Sequence, residues 1–184
     1  MNHLIKTIIL IFIAVFVSSC LTIEKKEYTF EINKDGSGSL RIKYINILSM
    51  KDDTATVTQS DFQELISNYI EGNQFEEDYP DAEIRSKRLY EEGGVLCGEV
   101  IMDFKNLRSV GIYQYDLTCP FMFNINSFLD SEAFVSSNGQ YGGDIMPVVF
   151  WPNTLDRLKL STSVTSPDET TISLVDEYRM WKMR

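Results

Sequence analysis

Histidine is almost missing from this chain. Of 184 residues only His3 is one, and it lies in an apolar leader. With that leader removed, Ser-His-Asp and Cys-His catalysis and histidine-ligated zinc are all excluded. Carboxylate chemistry and hard-metal binding through oxygen stay open. Cysteine is scarce too, at three. Beyond Cys20 only Cys97 and Cys119 are left, too few to build a zinc site without histidine. Export to an oxidising compartment makes a Cys97–Cys119 disulfide plausible. It would stabilise the fold by roughly 3–4 kcal/mol in the chain-entropy model. The alternative is two separately buried thiols, each behaving as a small hydrophobe. Long apolar runs are missing as well. The longest, Ile8 to Val17, would span about 15 Å as a helix, roughly half of a bilayer's hydrocarbon core. That length fits a signal-peptide core better than a membrane-spanning helix.

What is present begins with that leader. Lys6 is its only full side-chain charge, and the apolar run ends at the small residues Ser18 and Ser19, followed by Cys20. Val17-Ser18-Ser19-Cys20 resembles the lipobox of bacterial lipoprotein precursors. The resemblance implies diacylglyceryl transfer to the Cys20 thiol, cleavage before it, and frequent acylation of the new amine. Residues 1–19 are then a removed signal peptide. Two or three acyl chains make a stable anchor, because each buried methylene contributes about 0.8 kcal/mol and a single chain is marginal. Leu21, where an enteric inner-membrane lipoprotein would carry Asp, favours the outer membrane. The short acid-poor stretch that follows is a poor match to surface-export signals, so the periplasmic face is favoured over the cell surface.

Cleavage leaves Cys20 to Arg184, most naturally one domain. Losing Lys6 leaves 16 basic against 27 acidic residues, a net charge of −11. So acidic a domain is a poor candidate for nucleic acid or for electrostatic adhesion to anionic lipid.

The spacing predicts a short tether over residues 20–27 and a domain over 28–184. Tyr28, Phe30 and Ile32 alternate with polar residues, Lys34 to Gly38 supplies a turn, and Leu40, Ile42 and Tyr44 resume the alternation, which makes a hairpin. Phe62, Leu65, Ile66, Tyr69 and Ile70 form one apolar helical stripe. Ser60 with Gln63 reads as its capping box, and Gly72 suits its C′ position. Glu83–Glu91 and Val95–Phe104 read as a second strand pair about Gly93-Gly94, with Arg85, Lys87 and Arg88 marking a solvent-facing edge. Val110 to Leu117 reads as extended, and Arg157–Val164 with Thr170–Val175 as a final hairpin. Between them, residues 118–147 hold neither period. A short helix over Phe128 to Val135 and an open loop over Ser136 to Gly143 are expected there.

Asn33, Asp35, Ser37 and Gly38 mimic the first half of an EF-hand loop, but Tyr44 stands where the bidentate Glu belongs. A hairpin turn accounts for them. Glu76, Glu77, Asp78 and Asp81 form the densest acidic cluster, which reads as solvated surface. The irregular segment is rich in aromatics, and long irregular segments are often functional. Phe121, Phe123, Phe128, Phe134, Tyr141 and Trp151 are therefore the candidate binding loop for a glycan, peptide or lipid. Core packing under a long loop accounts for the same residues.

The expected fold class is α+β: an antiparallel sheet of about five to seven strands packed by one amphipathic helix, with a second short helix near Phe128. The early Asp35-Gly36-Ser37-Gly38 hairpin and the Phe104-Lys105-Asn106-Leu107 turn loosely resemble lipoprotein domains of the mycobacterial LppM type, and no functional residue is carried over. The residues call for no metal and no cofactor. The leading functional expectation is a non-enzymatic envelope lipoprotein, held on the bilayer by acylated Cys20, that binds a partner protein or an envelope polymer. The rival is a histidine-free, carboxylate-dependent hydrolase acting on envelope or extracellular glycans.

Overall fold

The computed structural model describes residues 21–51, 57–125 and 132–183. The fold is α+β and mainly antiparallel, with one large sheet, one small sheet and three α-helices among the described residues.

Strand β1 (Leu21–Ile32) and β2 (Gly38–Met50) make the long central hairpin, in register from Ile32↔Gly38 to Leu21↔Ser49. Its turn is built by Asp35. The Asp35 Oδ1 accepts from the Ser37 backbone N–H at 3.0 Å and the Ser37 hydroxyl at 2.6 Å, and Gly36 supplies φ +82°. The residues that mimic half a calcium loop are thus committed to an Asx turn. The expected tether over 20–27 does not exist as one: from Leu21 the chain is already β1. The run Glu24-Lys25-Lys26-Glu27 hides the strand because its charges find partners on neighbouring elements. Glu24 accepts from the Asn46 side chain and Lys26 pairs with Glu132.

The sheet continues through β3 (Ala82–Glu92), β4 (Val95–Phe104), β7 (Ala133–Ser137) and β10 (Arg157–Ser163). Their order is β3-β4-β2-β1-β10-β7, with β11 (Thr171–Ser173) pairing β2 beyond the end of β4. β3 is the edge strand that its charges predict. A bulge at Ile84/Ser86 turns Lys87 inward, where it donates to the Gly72 carbonyl at 2.6 Å and pairs with Glu76 at 3.0 Å. An inward-pointing charge also protects an edge from foreign strands. The expected terminal hairpin is corrected. β10 pairs β1 and β7, whereas β11 pairs β2. Residues 166–170 therefore carry the chain across the end of the central hairpin.

One face of this sheet is polar and carries a lattice of ion pairs, including Arg88–Glu99, Arg85–Asp103 and Arg157–Glu31. Exposed pairs of this kind contribute about 0–1 kcal/mol each. The other face is covered by two layers. Over Tyr28, Phe30, Leu40, Ile42, Val100, Met102, Leu158 and Leu160 lies a second sheet of order β5-β6-β9-β8, formed by Ile112–Tyr113, Phe121–Asn124, Val148–Trp151 and Gln140–Tyr141. Over Ile47 and Leu96 lie α1 (Val57–Glu64), which runs on into a π-helical turn at Leu65–Ile70, and α3 (Val175–Lys182). The short α2 (Gln74–Asp78) joins α1 to β3.

Among the described residues of the segment expected to be irregular over 118–147, three short strands appear, β6 and β8 in the second sheet and β7 in the first. Phe134 and Val135 are strand, not helix, and Gln140–Tyr141 pairs Phe150–Val149 where an open loop was expected. Strands of two to five residues are too short to display a period. The expected strand over Val110–Leu117 shrinks to Ile112–Tyr113, after a 3₁₀ turn (Leu107–Val110) that the Asn106 side chain caps through the Ser109 N–H. The expected capping box is also absent, since α1 starts at Val57 and Ser60 donates back to the Val57 carbonyl.

A candidate ligand groove beneath the helix

The groove is the product of three local departures from regularity. The first is in β2. Tyr44 faces the helices, and simple alternation would put Asn46 and Leu48 on that face next. Instead Asn46 adopts φ +56°, and the ladder skips the Glu24/Asn46 step between Lys25↔Ile45 and Ile23↔Ile47 with no change of register. The interruption swaps parity, so Ile47 and Ser49 now face α1. Ile47 joins the helical core, and the Ser49 hydroxyl donates to the Asp61 carboxylate of α1. Asn46 tolerates the left-handed region better than most side chains.

The second departure is in the helix. Beyond Glu64 the backbone widens into a π turn, with the Glu71 N–H reaching the Ile66 carbonyl. Such turns commonly mark functional positions. The chain then reverses so tightly that a Cβ on Gly72 would lie 2.4 Å from the Ser67 carbonyl oxygen and 2.6 Å from that of Asn68. Close approach is therefore why glycine stands there; its φ is not left-handed as a C′ glycine's would be. The third is Gly98 on β4, which lacks a side chain where β2 and β3 present Tyr44, Ile47 and Leu89.

Between the π turn and this stretch of sheet lies a groove of about 350 Å³, within the range of small-ligand sites. Leu65, Tyr69 and Ile70 form one wall; Tyr44, Ile47, Leu89 and Gly98 form the other. Leu21, Thr22 and Ile23 of β1 line it as well, and Lys26, Asp78, Arg88 and Glu99 are its charged members. Burial pushes the Tyr44 hydroxyl well above its ordinary titration range, reinforced by the nearby Tyr79 and Asp78. It stays a neutral phenol at any ordinary pH.

Lys26 leads from the groove into a buried polar knot. Its Nζ lies 2.7 Å from Glu132 Oε1, Tyr28 donates to the same carboxylate at 2.9 and 3.1 Å, and Thr162 donates at 2.6 Å. Glu132 is 8% exposed and Thr162 fully buried. A buried carboxylate is tolerable only when so paired and hydrogen-bonded. Burial, with the Glu132 charge second, pushes the Tyr28 phenol far above its ordinary value. Neither Glu132 nor Lys26 is marked by any sequence motif, because the partners stand more than a hundred positions apart.

The aromatic candidates fall elsewhere. Phe121 and Trp151 are buried, and Trp151 donates to the Asn138 side chain at 2.9 Å. Phe123 packs on Tyr28 and Phe30 at centroid distances of 5.7 and 5.6 Å. Phe134 stacks on Tyr141 at 4.2 Å. These five join the two sheets as core and not as a groove; Phe128 lies outside the described residues, as does Cys20. Cys97 is buried on β4 and Cys119 half-buried in the β5–β6 loop. Both are free thiols, so the expected disulfide is not formed. They belong to different sheets, and burial pushes the Cys97 thiol up. The acidic residues of α2 are engaged by Lys87, Asn73 and Gln74. Among the described residues no group of three or more His, Cys, Asp or Glu could hold a metal ion, and no helix is long and apolar enough to cross a membrane.

The site offers an apolar slot with charged side chains at its edge, an arrangement suited to holding an amphipathic molecule. Compared with known proteins, the chain matches no family model, no curated protein and no solved structure.

Proposed function

We propose that this chain is an envelope lipoprotein, anchored to a bilayer by acylated Cys20, whose domain is a non-enzymatic binding module with its ligand in the groove beneath the π turn. The single observation that carries this reading is that Leu21, Thr22 and Ile23 line the groove, and Leu21 directly follows the lipobox cysteine. A slot lined by the residues next to the acylated cysteine meets amphipathic envelope molecules at the surface where they reside. The apolar walls accept an acyl or similar chain, and Lys26 and Asp78 meet the polar part.

Two measurements test the two halves. Cys20→Ala should abolish membrane attachment and leave an uncleaved precursor; a correctly processed, membrane-bound variant refutes the anchor. For the groove, a dansyl-labelled fatty acid titrated into the detergent-solubilised protein should brighten on binding, and Ile70→Lys, at the half-buried wall, should abolish that signal with the far-ultraviolet dichroism unchanged. Undiminished binding by Ile70→Lys refutes the groove.

A further inference from the structure

The end of the domain at which β1 begins carries a second feature that the groove does not use. Ser49, the register partner of Leu21, donates to Asp61 of α1, and the next residue, Phe62, holds the Trp181 ring of α3 edge-on at 6.2 Å. Ile172 and Met50 sit on the same row, Ile172 paired with Ser49 and Met50 with Thr171. α3 starts beside them, with the Leu174 N–H on the Ile47 carbonyl. Apolar side chains are left in solvent on this end: Trp181 is 39% exposed, Met180 50% and Met183 79%, with Met50 and Ile172 at 37% each. α3 buries Val175 and Tyr178 against the core, sets the Trp181 ring at the core's edge against Phe62 and Tyr178 with part of it in solvent, and leaves Met180 half exposed. Other exposed apolar residues, Tyr115 and Leu117, lie by Asn153 at the opposite end of the molecule.

We propose that this end rests on the lipid surface, with Trp181, Met180 and Met183 inserted at the headgroup level as a second contact beside the acyl anchor. The chain itself points to this occupant. β1 pairs with β2 from Leu21 onward, so the residue after the lipobox cysteine already belongs to the fold, and the row that includes Leu21 is the part of the domain nearest the anchor. Tryptophan is suited to that depth, with an apolar body and one N–H for the wet side, and methionine adapts to irregular apolar surroundings. Asp168 and Glu169 cross the same end, and the domain is strongly acidic, so the contact is apolar and not a basic patch on anionic lipid. The two contacts together fix the orientation of the domain and hold Leu21, Thr22 and Ile23, which line the groove, close to the bilayer. This inference rests on acylation of Cys20.

The molecule carries its own probe. It has two tryptophans, and Trp151 is fully buried. The full lipidated protein would be reconstituted into phosphatidylcholine vesicles with plain or brominated acyl chains. Bromine near the headgroups should quench Trp181, whereas Trp181→Phe, left with Trp151 alone, should be unaffected. Met180→Ser with Met183→Ser, both at exposed positions, should reduce the quenching without altering the fold. Vesicle-bound protein whose emission is identical in the two lipids overturns the proposal and spares the anchor. Protection of Trp181 only in native envelopes, with a protein crosslinked to α3, also overturns it. Failure of the wild-type chain to sediment with vesicles overturns both readings.

Discussion

The Lys26–Glu132 pair is where this fold is most exposed to a single substitution. The pair is largely buried, with side-chain exposures of 16% and 6%, and Glu132 also takes the hydroxyls of Tyr28 and the fully buried Thr162. Glu132→Ala strands an ammonium and two hydroxyls together. Breaking a buried pair from one side costs about 3–5 kcal/mol, and a stranded hydroxyl about 1–3 kcal/mol. Lys26 retains a route to water, so the expected loss for Glu132→Ala is about 3–5 kcal/mol and not the sum. In a domain of this size that lowers Tm by roughly 6–20 °C. Lys26→Met leaves the carboxylate with hydroxyl donors alone and should cost about 3 kcal/mol or more. Combining Lys26→Met with Glu132→Leu removes both charges and leaves only the hydroxyls unpaired, so the double variant should lose no more than about 1–3 kcal/mol. Urea unfolding followed by tryptophan emission, with Glu132→Leu as the matching single variant, reads all four corners of the cycle. If Glu132→Ala loses less than about 1 kcal/mol, or the single costs add to within about 0.5 kcal/mol, the knot does not hold the fold in the way argued.

Three further outcomes are expected. Asn46→Val should destabilise by about 1–3 kcal/mol because a β-branched residue cannot easily hold φ +56°, whereas Asn46→Gly should cost less; equal Tm values for the two would contradict the left-handed backbone at Asn46. Gly72→Ala should lower Tm and weaken fatty-acid binding together, since its Cβ forces the π turn away from the Ser67 carbonyl; a variant with both properties intact would show that the turn is not tightly fixed. Tyr28 and Tyr44 are held neutral in the folded state, so above pH ~10 the unfolded chain releases protons that the folded chain keeps. The contribution of these tyrosines to stability should therefore be level below that pH and fall above it by about 1.4 kcal/mol per pH unit for each tyrosine. Tyr44→Phe should remove one such slope in urea unfolding at pH 10–12, and an unchanged slope would refute the assignment.

The sequence by itself determined the strongly local features. The β1–β2 hairpin follows from alternation about an Asp-Gly turn, the β3–β4 pair from its charges and Gly93-Gly94, and the helix from its apolar stripe. The proposal of a lipid anchor likewise rests on four consecutive residues. These are legible because a period or a turn signature is written within a few positions. The tertiary structure alone decided the rest. Leu21–Glu27 became strand because partners at Asn46 and Glu132 satisfy its charges. Within the segment expected to be irregular, Phe121–Asn124 and Gln140–Tyr141 joined a second sheet and Ala133–Ser137 the edge of the first, because strands of two to five residues are stabilised by the face they cover, not by a repeat of their own. The groove depends on a parity swap at Asn46, a widened turn after Glu64 and the missing side chain of Gly98, which meet only in three dimensions. Its charged edge requires Lys26 and Glu132, 106 positions apart, and no local pattern in a sequence can announce a contact that only the packing of two distant strands creates.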